Sequence, residues 1–113
     1  MTGHIPETLV AGVPEPLPDR LVVLDVREDD EWQAGHIDGA VHIPLMQLPG
    51  RVAQLPIDRQ VLVVCKVGGR SAQAVGFLTA QGVDAVNLAG GMYAWSAANR
   101  PMVAEGAHPP FVG

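Results

Sequence analysis

The chain predicts an α/β fold: a central, mainly parallel sheet of about five strands flanked by helices. Three observations carry this. Short β-branched, apolar runs recur along the sequence, around 21–26, 61–65 and 84–88. Segments with helical spacing or helix-start signals alternate with them. And Val61-Leu62-Val63-Val64-Cys65 is apolar at every position, as in strands buried on both faces.

The elements follow in order. Residues 1–20 hold Pro6, Pro14, Pro16 and Pro18 and should be mostly extended or looping. A short strand near His4–Ile5 and one helical turn near Glu7–Val10 fit there. Leu21–Val26 is the first clear strand. Asp29–Ala34 opens with carboxylates, which favour a helix N-terminus, and Gly35 is expected to end that helix. Val41-His42-Ile43 reads as a short strand stopped by Pro44. Met46–Leu55 has weak helical spacing, interrupted by Pro49 and Gly50. Gln60–Cys65 is the next strand. Arg70–Gln81 places Ala74, Val75, Phe77 and Leu78 at helical intervals, with Gly82 as the stop. Asp84–Leu88 is another strand, and Gly90-Gly91 precedes a helix at Met92–Ala98. The stretch 101–113, rich in Pro and Gly, should be an irregular, loosely attached tail.

With 113 residues, one domain spanning 1–113 is expected. Hydrophobic residues make up 48% and charged residues 17%, enough to build a packed core. A net charge of −5 argues against nucleic-acid binding. The apolar runs are too short to span a membrane, and Met1–Glu7 has no signal-peptide pattern, so the cytoplasm is expected. One cysteine excludes an internal disulfide and a multi-cysteine zinc site. The four histidines, His4, His36, His42 and His108, show no metal-binding spacing, so no metal is expected.

The candidate chemistry centres on Cys65. It ends a strand, a glycine-containing loop follows, and a helix then begins. If the loop curls around the sulfur, the backbone amides of Lys66, Val67, Gly68, Gly69, Arg70 and Ser71 point inward. Gly68 and Gly69 permit the positive φ angles such a curl needs. The helix start adds positive potential, and Lys66 and Arg70 add two cations at the rim. All of this should lower the thiol pKa and favour an anion held against a thiolate.

These residues carry a family resemblance. Asp25-Val26-Arg27, Glu31-Trp32, Gly35-His36-Ile37, Gly39-Ala40 and His42-Ile43-Pro44 resemble the N-terminal signature of rhodanese domains. Cys65-Lys66-Val67-Gly68-Gly69-Arg70-Ser71 is similar to their active-site loop, and Gly90-Gly91-Met92-Tyr93-Ala94-Trp95 to their C-terminal signature. The signature-bearing core runs from about 21 to 95. The part before Leu21 is shorter than in the family, so an early helix is expected to be trimmed.

The resemblance implies a rhodanese-like fold and a thiosulfate sulfurtransferase. Cys65 would take sulfane sulfur from a small anionic donor, thiosulfate or a persulfide, and carry it as a covalent persulfide, with no other cofactor. Cyanide or a thiol, free or on a partner protein, would accept it. Lys66 and Arg70 would orient the sulfonate of thiosulfate. Asp25, Arg27 and His36 read as structural signature residues, as does His42. Trp32, Tyr93 and Trp95 read as helix-packing residues.

Two alternatives stand beside this. One is a persulfide carrier or regulatory interaction module with weak activity. The other is a phosphatase of the cell-division-cycle dual-specificity type, or a related arsenate reductase. Their loop is one residue longer, whereas only Lys66, Val67, Gly68 and Gly69 separate Cys65 from Arg70 here. The tighter ring suits one extra sulfur atom better than a tetrahedral phosphate.

Overall fold

A computed structural model describes residues 5–113. Its centre is a five-stranded sheet made of β1 (Glu7–Thr8), β2 (Val22–Asp25), β3 (Val41–His42), β4 (Gln60–Val64) and β5 (Asp84–Leu88). The strand order is β1-β5-β4-β2-β3, and every neighbouring pair runs parallel. The helices are α1 (Asp29–Ala34), α2 (Leu48–Arg51), α3 (Gly69–Ala80) and α4 (Gly91–Ala97). The expected α/β architecture is present.

Strand alternation explains the two cores. Val61, Val63 and Cys65 face one side of the sheet, where Ala74, Val75 and Leu78 of α3 pack on them. Leu62 and Val64 face the other side, against Met92 and Trp95 of α4 and Val10 and Val13 of the N-terminal segment. Both faces of β4 are therefore covered, which is why its sequence shows no polar alternation. On α3 the buried positions are Ser71, Ala74, Val75 and Leu78, one stripe at helical spacing. Removing one such side chain, Leu78 for example, would cost about 2–5 kcal/mol.

The structure corrects the reading in several places. At the N-terminus the strand sits at Glu7–Thr8 and the turn, a 3-10 helix, at Val10–Gly12. The ladder sets the difference: Asn87 N–H donates to the Pro6 carbonyl and Ala89 N–H to that of Thr8. His4 lies outside the described residues. The weak, interrupted helical spacing at 46–55 resolves into three short pieces, with 3-10 turns at Leu45–Gln47 and Val52–Gln54 on either side of α2, and the breaks fall beside Pro49 and Gly50 rather than at them. Pro49 is tolerated there because it falls in the first turn, where an amide proton has no helical partner.

The tail is irregular in outline but not loosely attached. Val103 and His36 exchange backbone hydrogen bonds of 2.9 and 2.8 Å. Phe111 N–H donates to the Ala34 carbonyl at 3.0 Å, and the Trp95 indole N–H to the Pro101 carbonyl at 2.9 Å. Gly35 is accordingly a contact point. Its backbone is extended, and a Cβ there would lie 2.6 Å from the Phe111 carbonyl oxygen.

Candidate active site

Cys65 follows the last residue of β4, at the carboxyl edge of the sheet, where ligands of open parallel sheets bind. The residue is buried, at 1% exposure. The loop that leaves it is held from outside by the start of α4. Met92 N–H donates to the Cys65 carbonyl at 2.8 Å, and Tyr93 N–H to the Lys66 carbonyl at 2.9 Å. A trans peptide points its N–H opposite to its C=O. With the Lys66 carbonyl turned out toward α4, the Val67 amide turns in.

At the centre, Gly68 N–H donates to Cys65 Sγ at 3.0 Å, and the Ser71 hydroxyl lies 3.2 Å from Sγ. Burial alone pushes the Cys65 thiol up. The Ser71 hydroxyl and the amides of Ser71, Gly68 and Val67 outweigh it and hold the thiol below its ordinary value. Of the two glycines expected to curl the loop, Gly68 alone does so, with φ +108°. Gly69 is already the first residue of α3.

The two cations differ. Arg70 forms a bidentate ion pair with Glu31 of α1, with N···O distances of 2.7 and 2.8 Å. Hydrogen bonding to Arg70 lowers the Glu31 carboxyl to about 2, against the opposing effect of burial. The same bond raises Arg70 further above its ordinary range. Arg70 is thus fixed beside the site rather than free at its rim. Lys66 is exposed and has no ion-pair partner among the described residues. Val67 is exposed at the loop apex, at 63%.

Asp25 and Arg27 are both fully buried and paired to each other, with Arg27 Nη2 2.7 Å from Asp25 Oδ2. Arg27 Nη2 also donates to the Gly35 carbonyl at 2.7 Å, tying the end of α1 to the end of β2. His36 Nδ1 donates to the Trp32 carbonyl at 2.7 Å, and His42 Nε2 to that of Arg27 at 2.8 Å. The indole of Trp32 is sandwiched between the two imidazoles, at centroid distances of 3.5 and 4.7 Å. Among the described residues, none of these side chains hydrogen-bonds to the sulfur; they tie together the ends of β2, α1 and β3. Trp95 packs in the core as expected. Tyr93 does not: it is 66% exposed on α4, next to the loop it holds through its amide.

Sequence reasoning missed three groups. The Ser71 hydroxyl, as well as its amide, faces the sulfur, which residue order does not reveal. Asn87 of β5, buried at 3% exposure, accepts from Ser71 and donates to the Gly68 carbonyl at 3.3 Å. A polar residue inside the apolar run Ala85-Val86-Asn87-Leu88 was the available signal. Glu31 was visible as an acidic residue in a helix first turn, but its partner 39 residues away was not.

A cavity of about 380 Å³ between Pro14, Leu17, Ile37, Trp95 and Arg100 shares no lining residue with the Cys65 loop. Among the described residues, no helix is long and apolar enough to cross a membrane.

The family model described as "Rhodanese-like domain" matches residues 3–98. A sulfurtransferase of Allochromatium vinosum is 38% identical, over 74% of this chain and 79% of that one. A thiosulfate sulfurtransferase of Shewanella oneidensis is 38% identical, over 68% of this chain and 77% of that one. Elsewhere the matched stretch is a small part of a longer chain, 22% of one from Mycobacterium tuberculosis. Among solved structures, a rhodanese-related protein of Thermoplasma volcanium superposes with a TM-score of 0.72 at 37% identity. That match covers 74% of this chain and 84% of the other.

Proposed function

The chain belongs to the rhodanese-like domain family, and from that membership and the setting of its thiol we propose that it is a sulfurtransferase with Cys65 as nucleophile. The observation that carries the reading is the ring of donors around one sulfur: Gly68 N–H at 3.0 Å and Ser71 Oγ at 3.2 Å, with the amides of Val67 and Ser71 close by.

The reaction has two halves. The Cys65 thiolate attacks the outer sulfur of thiosulfate. The sulfur–sulfur bond of the donor breaks, its electron pair leaves on sulfite, and a persulfide remains on the enzyme. An acceptor, cyanide or a thiolate, then attacks the terminal sulfur. The electron pair of the persulfide bond returns to Cys65, which is again a thiolate. No general base is needed when the thiol is already ionised. The loop donors stabilise negative charge on either sulfur without having to reorganise.

Lys66, the exposed cation of the loop, would meet the sulfonate. Arg70, held by Glu31, adds a fixed positive charge behind the loop rather than a mobile contact. The likeness to a thiosulfate sulfurtransferase over most of the chain supports thiosulfate as one donor, and a persulfide donor would use the same sulfur. The 113 residues are read as one catalytic domain. A lone reactive thiol suits a reducing compartment, so the cytoplasm is the proposed location.

The experiment is intact mass after incubation with thiosulfate. A gain of one sulfur, about 32 Da, that cyanide reverses is expected. Cys65→Ser should show none; a gain that survives in Cys65→Ser would remove Cys65 from the mechanism.

A further inference from the structure

Ser71 has one hydroxyl proton and two acceptors within reach. Its oxygen lies 3.2 Å from Cys65 Sγ and 2.5 Å from Asn87 Oδ1. It cannot donate to both at once. The Asn87 amide is not free to turn aside. Its Nδ2 donates to the Gly68 carbonyl, the residue whose own N–H holds the sulfur, so Oδ1 faces Ser71.

We propose that Asn87 is a positioning residue that competes with the Cys65 sulfur for the Ser71 proton and so sets how readily that sulfur becomes charged. Two arrangements exist, and protons balance in each. With a neutral thiol, S–H donates to Ser71 Oγ, Ser71 O–H donates to Asn87 Oδ1, and Asn87 N–H donates to the Gly68 carbonyl. The donors then form one directed chain. When the thiol proton leaves to water, the Ser71 O–H swings to the thiolate and Asn87 Oδ1 loses its donor. A buried acceptor without a partner disfavours that state. Asn87 therefore restrains ionisation at the same time as it anchors the loop that favours it. The inference deepens the assignment of Cys65 as nucleophile and rests on it.

Other charges do not confound the comparison. Arg70, which feels the sulfur from α3, is fixed by Glu31 of α1. Asp25 at the end of β2 and Arg27 just beyond it pair with each other. The charged residue of β5, Asp84, stands at the far end of its strand, paired in register with Gln60. Helix α4 carries no charged residue, and Lys66 of the loop is the same in every variant below.

The test is the pH dependence of iodoacetamide alkylation of Cys65 in the full chain. Asn87→Leu is close in shape and removes the acceptor. It should move the midpoint down by on the order of half a pH unit to one, so that alkylation below the midpoint is about three- to tenfold faster. Asn87→Ala should move it in the same direction, and keeps the test alive if the leucine variant does not fold. In a Ser71→Ala background the downward shift should vanish: the midpoint stays in place or rises, because only the Gly68 anchor is then lost. An unchanged or raised midpoint in a folded Asn87 variant that keeps Ser71 would overturn the proposal. So would an equal downward shift without the Ser71 hydroxyl. Because the readout is ionisation, not sulfur transfer, the proposal can fail while the transfer reaction stands, and the converse holds.

Discussion

Most of what favours charge on Cys65 is itself neutral: backbone amides and one hydroxyl, donated at fixed positions. The two cations of the loop are held differently. Arg70 is committed to Glu31, and Lys66 is left exposed on the loop. Lys66→Ala should therefore weaken thiosulfate use more than use of a persulfide thiol, since the first donor is a dianion. The loss of one charge-assisted contact is about 1.5–3 kcal/mol at most. Steady-state kcat/KM with the two donors checks it; equal losses would take the sulfonate contact away from Lys66. Lys66, Arg70 and the loop amides could be read from residue order alone. How differently the two cations are held could not, because that depends on Glu31, 39 positions earlier, arriving beside Arg70 only once α1 and α3 meet.

At the scale of elements, the loop after Cys65 is a junction of β4, α3 and α4. The first turn of α4 occupies the loop's outward carbonyls, and this requires very close backbone approach. A Cβ on Gly91 would sit 2.4 Å from the Cys65 carbonyl oxygen, and the residue has φ +58°. Gly91→Ala should cost about 1–3 kcal/mol in stability and turn the loop amides away from the sulfur. Urea unfolding and the alkylation rate of Cys65 would both register it, as a lower midpoint and a slower reaction near neutral pH. Normal alkylation in this variant would mean that α4 does not hold the loop. The glycine pair was legible in the sequence as a helix start. Its second duty was not, because nothing local says which backbone will approach. The same holds for Gly35, where the neighbour is the tail at Phe111. Strands β4 and β5 were legible nearly to the residue, since burial on both faces leaves a continuous apolar run. The segment 45–54 was not, because Leu48, Val52 and Leu55 record contact with the core but not the breaks between turns.

For the whole molecule, the Glu31–Arg70 pair fastens α1 to α3 beside the thiol. Its carboxyl titrates at about 2 when folded, against an ordinary 4.5. As pH falls, the unfolded chain takes up this proton first. The pair's contribution is complete above the ordinary value and is lost as pH drops toward the folded one. Wild type should therefore exceed Glu31→Gln in urea midpoint at neutral pH, and the gap should close as pH falls from about 4.5 toward 2. A gap that is constant with pH would mean the carboxylate charge is not what stabilises.

The sheet has its longest strands, β4 and β5, inside and a two-residue strand at each margin, β1 and β3. A margin that short offers a foreign strand almost no ladder to extend. The same strand order that brings Cys65 to the middle of the carboxyl edge thus leaves the molecule with little of the unpaired backbone from which fibrils and strand-swapped aggregates grow.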